Sequence, residues 1–379
     1  MTAPEEPPLY VGRPSLGERA AFLARVNSML DRRWLSNNGP FVQEFEQRIA
    51  ETVGVPHVIA TCNATTAIQL ASRALGLAGE VIVPSYTFIA TVHSLCWLGL
   101  TPVFADIDPH THNIDSSQIE SLITPRTSAV VGVHLWGRGC DTAAIEGIAR
   151  TNSLRVMYDA SHAFGCSLGG RMIGGFGDCE VFSFHATKFI NCFEGGAVAT
   201  HDDGLANTLR LMRNFGFQGF DDTAILGING KMSEVSAAMG LTNLEAMHRI
   251  IATNRANHVA YRAGLAGIPG VTLIEFDPVE RNNFQYVVIE IDPQRAGISR
   301  DALVERLHQR NVIARRYFWP GCHRMEPYRS FAANAENTLP ETERVADRVI
   351  VLPTGDSMTP EAIDRVCRVI ATARLEVIA

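Results

Sequence analysis

The chain has no dense run of lysine or arginine and is acidic overall, with 33 basic against 40 acidic side chains and a formal charge of −7. Nucleic-acid binding needs a basic face to neutralise phosphates, so that class is set aside. An anionic substrate would have to meet local cations rather than a basic surface. No apolar run approaches the roughly 18 residues of a membrane span. The stretch from Ala90 to Val103 is interrupted by His93, Ser94, Gly99, Thr101 and Pro102. Eight cysteines are scattered without a CxxC pair, which argues against a zinc framework or a disulfide scaffold and for reduced thiols. The start, Met1 to Pro8, is acidic and proline-rich. It lacks the basic end and apolar segment of a secretory signal, so a cytoplasmic protein is expected. With 46% hydrophobic and 19% charged residues, the composition fits a folded enzyme rather than a disordered chain.

Strand-like and helix-like runs do alternate, from about residue 57 to about residue 200. Short β-branched runs at 58–61, 81–84, 102–105 and 129–133 are each followed by a helical pattern. This predicts an α/β domain with a mostly parallel sheet, whose ligands gather at the carboxyl ends of the strands. A single long helical pattern is expected from Met232 to Leu265. After it the order changes, with strands expected at 271–276, 284–291, 312–317 and 349–352 and helices near 301–309 and from Pro360. That suggests a smaller α+β domain. The expected division is an N-terminal segment at 1–33, a large domain at 34–245 and a small domain at 246–379.

Two of the strand ends carry chemistry. The run Leu154 to Tyr158 ends in Asp159-Ala160-Ser161-His162. The run from Cys179 leads through Ser183-Phe184-His185-Ala186-Thr187 to Lys188, and Gly195-Gly196 follows. A lysine amine can condense with the aldehyde of pyridoxal 5′-phosphate (PLP). An aspartate can pair with the protonated pyridine nitrogen, which lets the ring draw electrons from a bound substrate. A solvated surface lysine is the generic alternative, but Phe182, Phe184 and Phe189 make this a poor surface segment.

These two motifs resemble those of the nucleotide-sugar aminotransferases (the DegT/StrS-like branch of the fold type I PLP enzymes). The likeness runs from Trp34 to the C-terminal helix. It implies the fold type I transferase architecture, with Lys188 and Asp159 as catalytic residues. It implies that Ser183, with Ala64 and Thr65 in the segment Thr61 to Thr66, holds the cofactor phosphate; a helix start there is in any case an anion site. Ala64 stands where the family has glycine. Phe88 matches the aromatic residue that stacks on the ring, and a core phenylalanine is the alternative. His162 stands where glutamine is usual and would meet the ring hydroxyl or face, or be a satisfied core histidine. Gly227 to Met232 resembles a segment whose asparagine, here Asn229, reaches a neighbouring subunit's cofactor. The resemblance therefore implies a homodimer with shared sites. Lys231 replaces an arginine of that segment, keeping the charge and losing the bidentate fork. Lys231, Arg316 and Tyr317 are the expected substrate anchors, and a strand edge with solvated arginines is the alternative for the last two.

The texture around Cys62 to Ala67, His134 to Arg138 and Phe182 to Lys188 is similar to the dTDP-4-keto-6-deoxyglucose 4-aminotransferases of natural-product pathways. The implied reaction is amination of a dTDP-4-keto-6-deoxyhexose with L-glutamate as donor. PLP would pass through pyridoxamine 5′-phosphate. Three alternatives stand beside it. One is amination at C3. Another is a pyridoxamine-dependent sugar 3-dehydratase, which carries histidine where Lys188 stands. The last is a non-catalytic PLP-binding regulator.

Overall fold

The expected alternation between residues 57 and 200 folds into a seven-stranded sheet. A computed structural model describes residues 7–331 and 338–373 of the chain; the acidic start through Glu6 lies outside them. In chain order the strands are β1 (Leu9–Tyr10), β2 (His57–Thr61), β3 (Glu80–Pro84), β4 (Thr101–Ala105), β5 (Thr127–Val133) and β6 (Arg155–Asp159). A small hairpin of β7 (Ser167–Leu168) and β8 (Arg171–Met172) precedes β9 (Cys179–Ser183) and β10 (Gly196–Thr200). The main sheet has the order β2-β10-β9-β6-β5-β3-β4. Only β10 runs against the rest, antiparallel to both β2 and β9.

Helices cover both faces. They are α1 (Arg19–Arg32), α2 (Pro40–Val53), α3 (Ala64–Ala74), α4 (Ile89–Trp97), α5 (Ser116–Leu122), α6 (Thr142–Asn152), α7 (Asp203–Met212), α8 (Glu234–Glu245) and α9 (Met247–Leu265). Strand side chains alternate between two apolar layers, as the two-residue period of a strand requires. Val58, Ala60, Ile82 and Phe182 join the layer built with Phe45 and Ile49 of α2 and Leu241 of α8. Ile59, Val81, Val83 and Val181 join the opposite layer, with Ile68 of α3, Val92 of α4 and Leu209 of α7. This double burial is why these strands read as continuous apolar runs. The buried Glu234 carboxylate ties α8 to α2 by accepting the N–H groups of Phe41 and Val42 at 3.0 and 2.9 Å. A negative group suits that helix start.

The C-terminal part forms a second sheet from β11 (Val271–Leu273), β12 (Val287–Ile291) and β14 (Val349–Leu352). β13 (Val312–Ile313) pairs instead with β1, so the N-terminal segment is stitched to this part. Three expectations are corrected. The helical pattern from Met232 is two helices, because Ala246 between them has φ −91° and ψ 0°. The strand expected at 284–291 begins only at Val287. Ahead of it, the Asn282 and Asn283 side chains accept the N–H groups of Phe284 and Gln285, and Phe284 has φ +51°. Asparagine side chains thus take donors that a ladder would have used. The strands expected at 271–276 and 312–317 stop at Leu273 and Ile313.

Candidate active site

Register brings the two motifs together. Val133 lies beside Asp159, and Asp159 beside Val181. Gly196 lies opposite both Ser183 and Thr61. These strand ends open onto a cavity of about 330 Å³, within the range of small-molecule sites. The seven residues expected to meet the cofactor in one protomer, Ala64, Thr65, Phe88, Asp159, His162, Ser183 and Lys188, all lie in its wall.

The anion end is the start of α3. Asn63 caps the helix, its side chain accepting the Thr66 N–H at 2.8 Å. The first N–H groups of a helix have no partner within it, so those of Ala64 and Thr65 stay available. Ala64 is an ordinary helical residue, and the position needs no glycine. The glycine that matters is Gly196. A Cβ there would sit 2.5 Å from the Asn63 carbonyl carbon and 2.6 Å from the Ala64 nitrogen. Its bareness lets β10 seat the helix start beside Ser183.

Asp159 is buried at the end of β6. One carboxylate oxygen accepts the Ser161 N–H at 3.0 Å and the other accepts the Thr91 hydroxyl at 2.7 Å. Thr91 lies one turn from Thr87, whose hydroxyl is 3.0 Å away. Both donors to the carboxylate are neutral, so its charge remains to face a protonated ring nitrogen.

Lys188 opens partly onto the cavity while its amine end is enclosed. Burial pushes the amine down to about 8, against the pull of the Asp159 charge. Nζ donates to the Tyr286 hydroxyl at 3.0 Å. Lys188 and Lys231 are the only two lysines in the chain. His162 is held neutral by burial and by the Lys188 charge. Its Nδ1 accepts the Trp136 N–H at 3.4 Å, which leaves the proton on Nε2. Phe88 is exposed at the mouth, its ring 6.3 Å from that of Phe318. Unpaired amides at a helix start, a close glycine, a buried carboxylate and a depressed lysine amine together fit pyridoxal phosphate.

The expected substrate anchors divide. Tyr317 lies in the wall, but its neighbour there is Arg315 rather than Arg316. Arg316 instead pairs with Asp301 at 2.9 Å and stacks on Trp319 at 5.0 Å. Lys231 lies over the Phe215 ring at 4.5 Å, and Asn229 is exposed and bridged to Asn214. Neither belongs to the cavity of its own protomer. The sequence reading missed Thr91, Tyr286, Arg315 and the facing pair His185 and Glu194, whose Nε2 and Oε1 atoms are 3.6 Å apart. No sequence signal marked Thr91, which lies on α4 four residues after the bend residue Thr87. None existed for Tyr286.

A family model described as the DegT/DnrJ/EryC1/StrS aminotransferase family matches residues 17–371. A dTDP-4-amino-4,6-dideoxy-D-glucose transaminase of Escherichia coli is 36% identical over 364 residues, covering 95% of this chain and 97% of that protein. GDP-perosamine synthase of Caulobacter vibrioides is 37% identical over 349 residues, covering 90% and 92%. The crystal structure of DesI in the presence of its TDP-sugar product has a TM-score of 0.94 at 50% identity, covering 98% of this chain and 95% of that one.

Proposed function

The chain belongs to the DegT/DnrJ/EryC1/StrS aminotransferase family of PLP-dependent enzymes, and from that premise we propose that it aminates C4 of a dTDP-4-keto-6-deoxyhexose, with L-glutamate as donor. The observation that carries this reading is the meeting of Lys188, Asp159 and the α3 start in one cavity. The names borne by the similar E. coli transaminase and by DesI with its TDP-sugar product support the sugar.

When bound, PLP supplies a reactive aldehyde carbon and a ring that draws in electrons. The Ala64 and Thr65 N–H groups and the Ser183 hydroxyl would hold its phosphate. Asp159 would keep its ring nitrogen protonated, and the Nε2 proton of His162 would be the donor for its ring hydroxyl. Phe88 would cover one face. Lys188 would hold the group through Nζ. Once free, the same atom would carry the proton between the substrate carbon and the cofactor carbon. A depressed lysine is suited to that work near neutral pH. Arg315 and Tyr317 supply the cation and aromatic edge for the nucleotide diphosphate from the same protomer.

Asn229 and Lys231 serve the partner's site in a homodimer. The segment leading to them, from Phe215 through Phe217, Phe220 and Leu226 to Ile228, exposes a run of apolar side chains. Such a patch suits a second copy of the chain. Among the described residues no helix is long and apolar enough to cross a membrane. The resemblance supports an enzyme of deoxysugar biosynthesis in an antibiotic pathway, and scattered cysteines without a CxxC pair support a cytoplasmic one.

The test is a half-reaction. L-Glutamate added to the PLP-loaded protein should bleach the visible cofactor band and release 2-oxoglutarate, and a dTDP-4-keto sugar should then restore the band. A band unmoved by glutamate and by other amino acids would leave only a PLP-binding protein.

A further inference from the structure

We propose that Tyr286 is a further catalytic residue, its hydroxyl accepting a hydrogen from the Lys188 amine and holding that amine whenever it is free of the cofactor. The inference rests on the reading of Lys188 as the cofactor lysine. It starts from a hydrogen bond of 3.0 Å between Nζ and the phenol oxygen. A buried tyrosine usually finds a hydrogen-bond partner for its hydroxyl, and a backbone carbonyl can serve. Tyr261 does so, bonding the Pro353 carbonyl at 2.8 Å. Among the described residues, the Tyr286 hydroxyl has instead the reacting amine as its hydrogen-bond partner.

The ring is fixed. It lies 4.4 Å from the His162 ring and 5.3 Å, edge-on, from Trp136. The strap carrying it is tied to the loops of the site by side-chain amides. Asn282 donates to the Gly137 carbonyl at 3.0 Å. Asn283 donates to the carbonyls of His162 and Phe164 at 2.9 and 3.0 Å. Gln285 accepts the N–H of Phe189, the residue after the lysine, at 3.1 Å. These bonds set the strap against both motifs at once. They place the phenol oxygen relative to Nζ with little freedom.

Lys188 as a neutral amine takes one proton from the substrate carbon and becomes an ammonium. The phenol oxygen accepts a hydrogen bond from that ammonium and stabilises it. The ammonium would then give that proton to the cofactor carbon and be an amine again. The phenol keeps its own proton throughout, because burial and the nearby Tyr317 and Asp159 hold it well above the usual tyrosine range.

Two lysines make the test clean. In the full-length protein freed of PLP, acetic anhydride acetylates each lysine in proportion to its neutral fraction. Mass spectrometry then reads Lys188 against pH, with Lys231 as the internal reference. Wild type should show a Lys188 midpoint near 8. Tyr286→Phe keeps the ring and removes the acceptor, so the charged amine is less favoured and the midpoint should fall by about one unit. In the loaded enzyme kcat should fall about 10-fold or more, the scale of a lost hydrogen bond to a charged group. A Tyr286→Phe protein whose melting temperature drops while the Lys188 midpoint and kcat stay at wild-type values would overturn the proposal. Borohydride reduction of the loaded wild type separates this failure from that of the premise. Cofactor fixed on Lys231 would remove the Lys188 reading and this inference with it. Cofactor fixed on Lys188 with an unchanged midpoint would remove only Tyr286.

Discussion

Lys188 and Asp159 were legible in the sequence because their chemistry restricts residue type and their strands advertise where they end. Nothing comparable marked Thr91 or Tyr286. Tyr286 lies 98 residues from its lysine, and the apolar run around it reads as a strand interior. Arg315 and Arg316 show the same limit at closer range. Both are cations in one short segment, and only the folded chain shows which one faces the cavity and which pairs with Asp301. The Thr91 hydroxyl on Asp159 carries a prediction. Thr91→Val removes one of the two donors to a buried carboxylate. The aspartate then sits less firmly against the ring nitrogen. kcat should drop about 10-fold, the scale of a hydrogen bond to a charged group. The protein should still bind PLP, and Thr91→Ser should restore the rate. A valine variant with wild-type kcat would show that Thr91 only packs.

Strands of the main sheet were legible because both of their faces are buried, which turns each one into an apolar run. In the C-terminal part the runs overreached. Asparagine side chains delay the start of β12 to Val287, and after Ile313 the chain leaves β1, bridges β14 at Arg315 and Val351, and brings Arg315 and Tyr317 to the cavity. Residues that a strand reading assigns to a sheet edge are therefore the ones that build the site. The contact between β10 and α3 is the sharpest demand at this scale. A Gly196→Ala methyl would meet backbone atoms of Asn63 and Ala64 at 2.5 and 2.6 Å. Backbone cannot rotate aside as a side-chain tip can. The variant should lose about 1–3 kcal/mol of stability, as overpacked sites do. Because the displaced element is the one proposed to hold the phosphate, its PLP affinity should fall as well. Thermal melts with and without PLP check both, and a variant with unchanged melting and unchanged PLP binding would contradict this account of the glycine.

At the scale of the molecule, one protomer brings together the cofactor residues but leaves Asn229 and Lys231 outside its own cavity. The proposed homodimer with shared sites would resolve that division. Lys188→Ala and Asn229→Ala proteins, each nearly inactive alone, should regain activity when mixed. One site of each mixed dimer then has both residues, so recovery toward a quarter of wild type is the ceiling for random exchange. Failure to recover any activity, from a mixture shown to exchange subunits, would remove Asn229 from the partner's site. The central claim concerns which carbon receives the amine. Lysine and cofactor serve any ketone, and the position is set by how the nucleotide anchors the sugar relative to Lys188. The most direct measurement is NMR of the product formed from PLP-loaded protein, L-glutamate and dTDP-4-keto-6-deoxyglucose. A product with nitrogen on C4 is predicted. No turnover of that sugar, with efficient amination of a dTDP-3-keto-6-deoxyhexose at C3 instead, would contradict it.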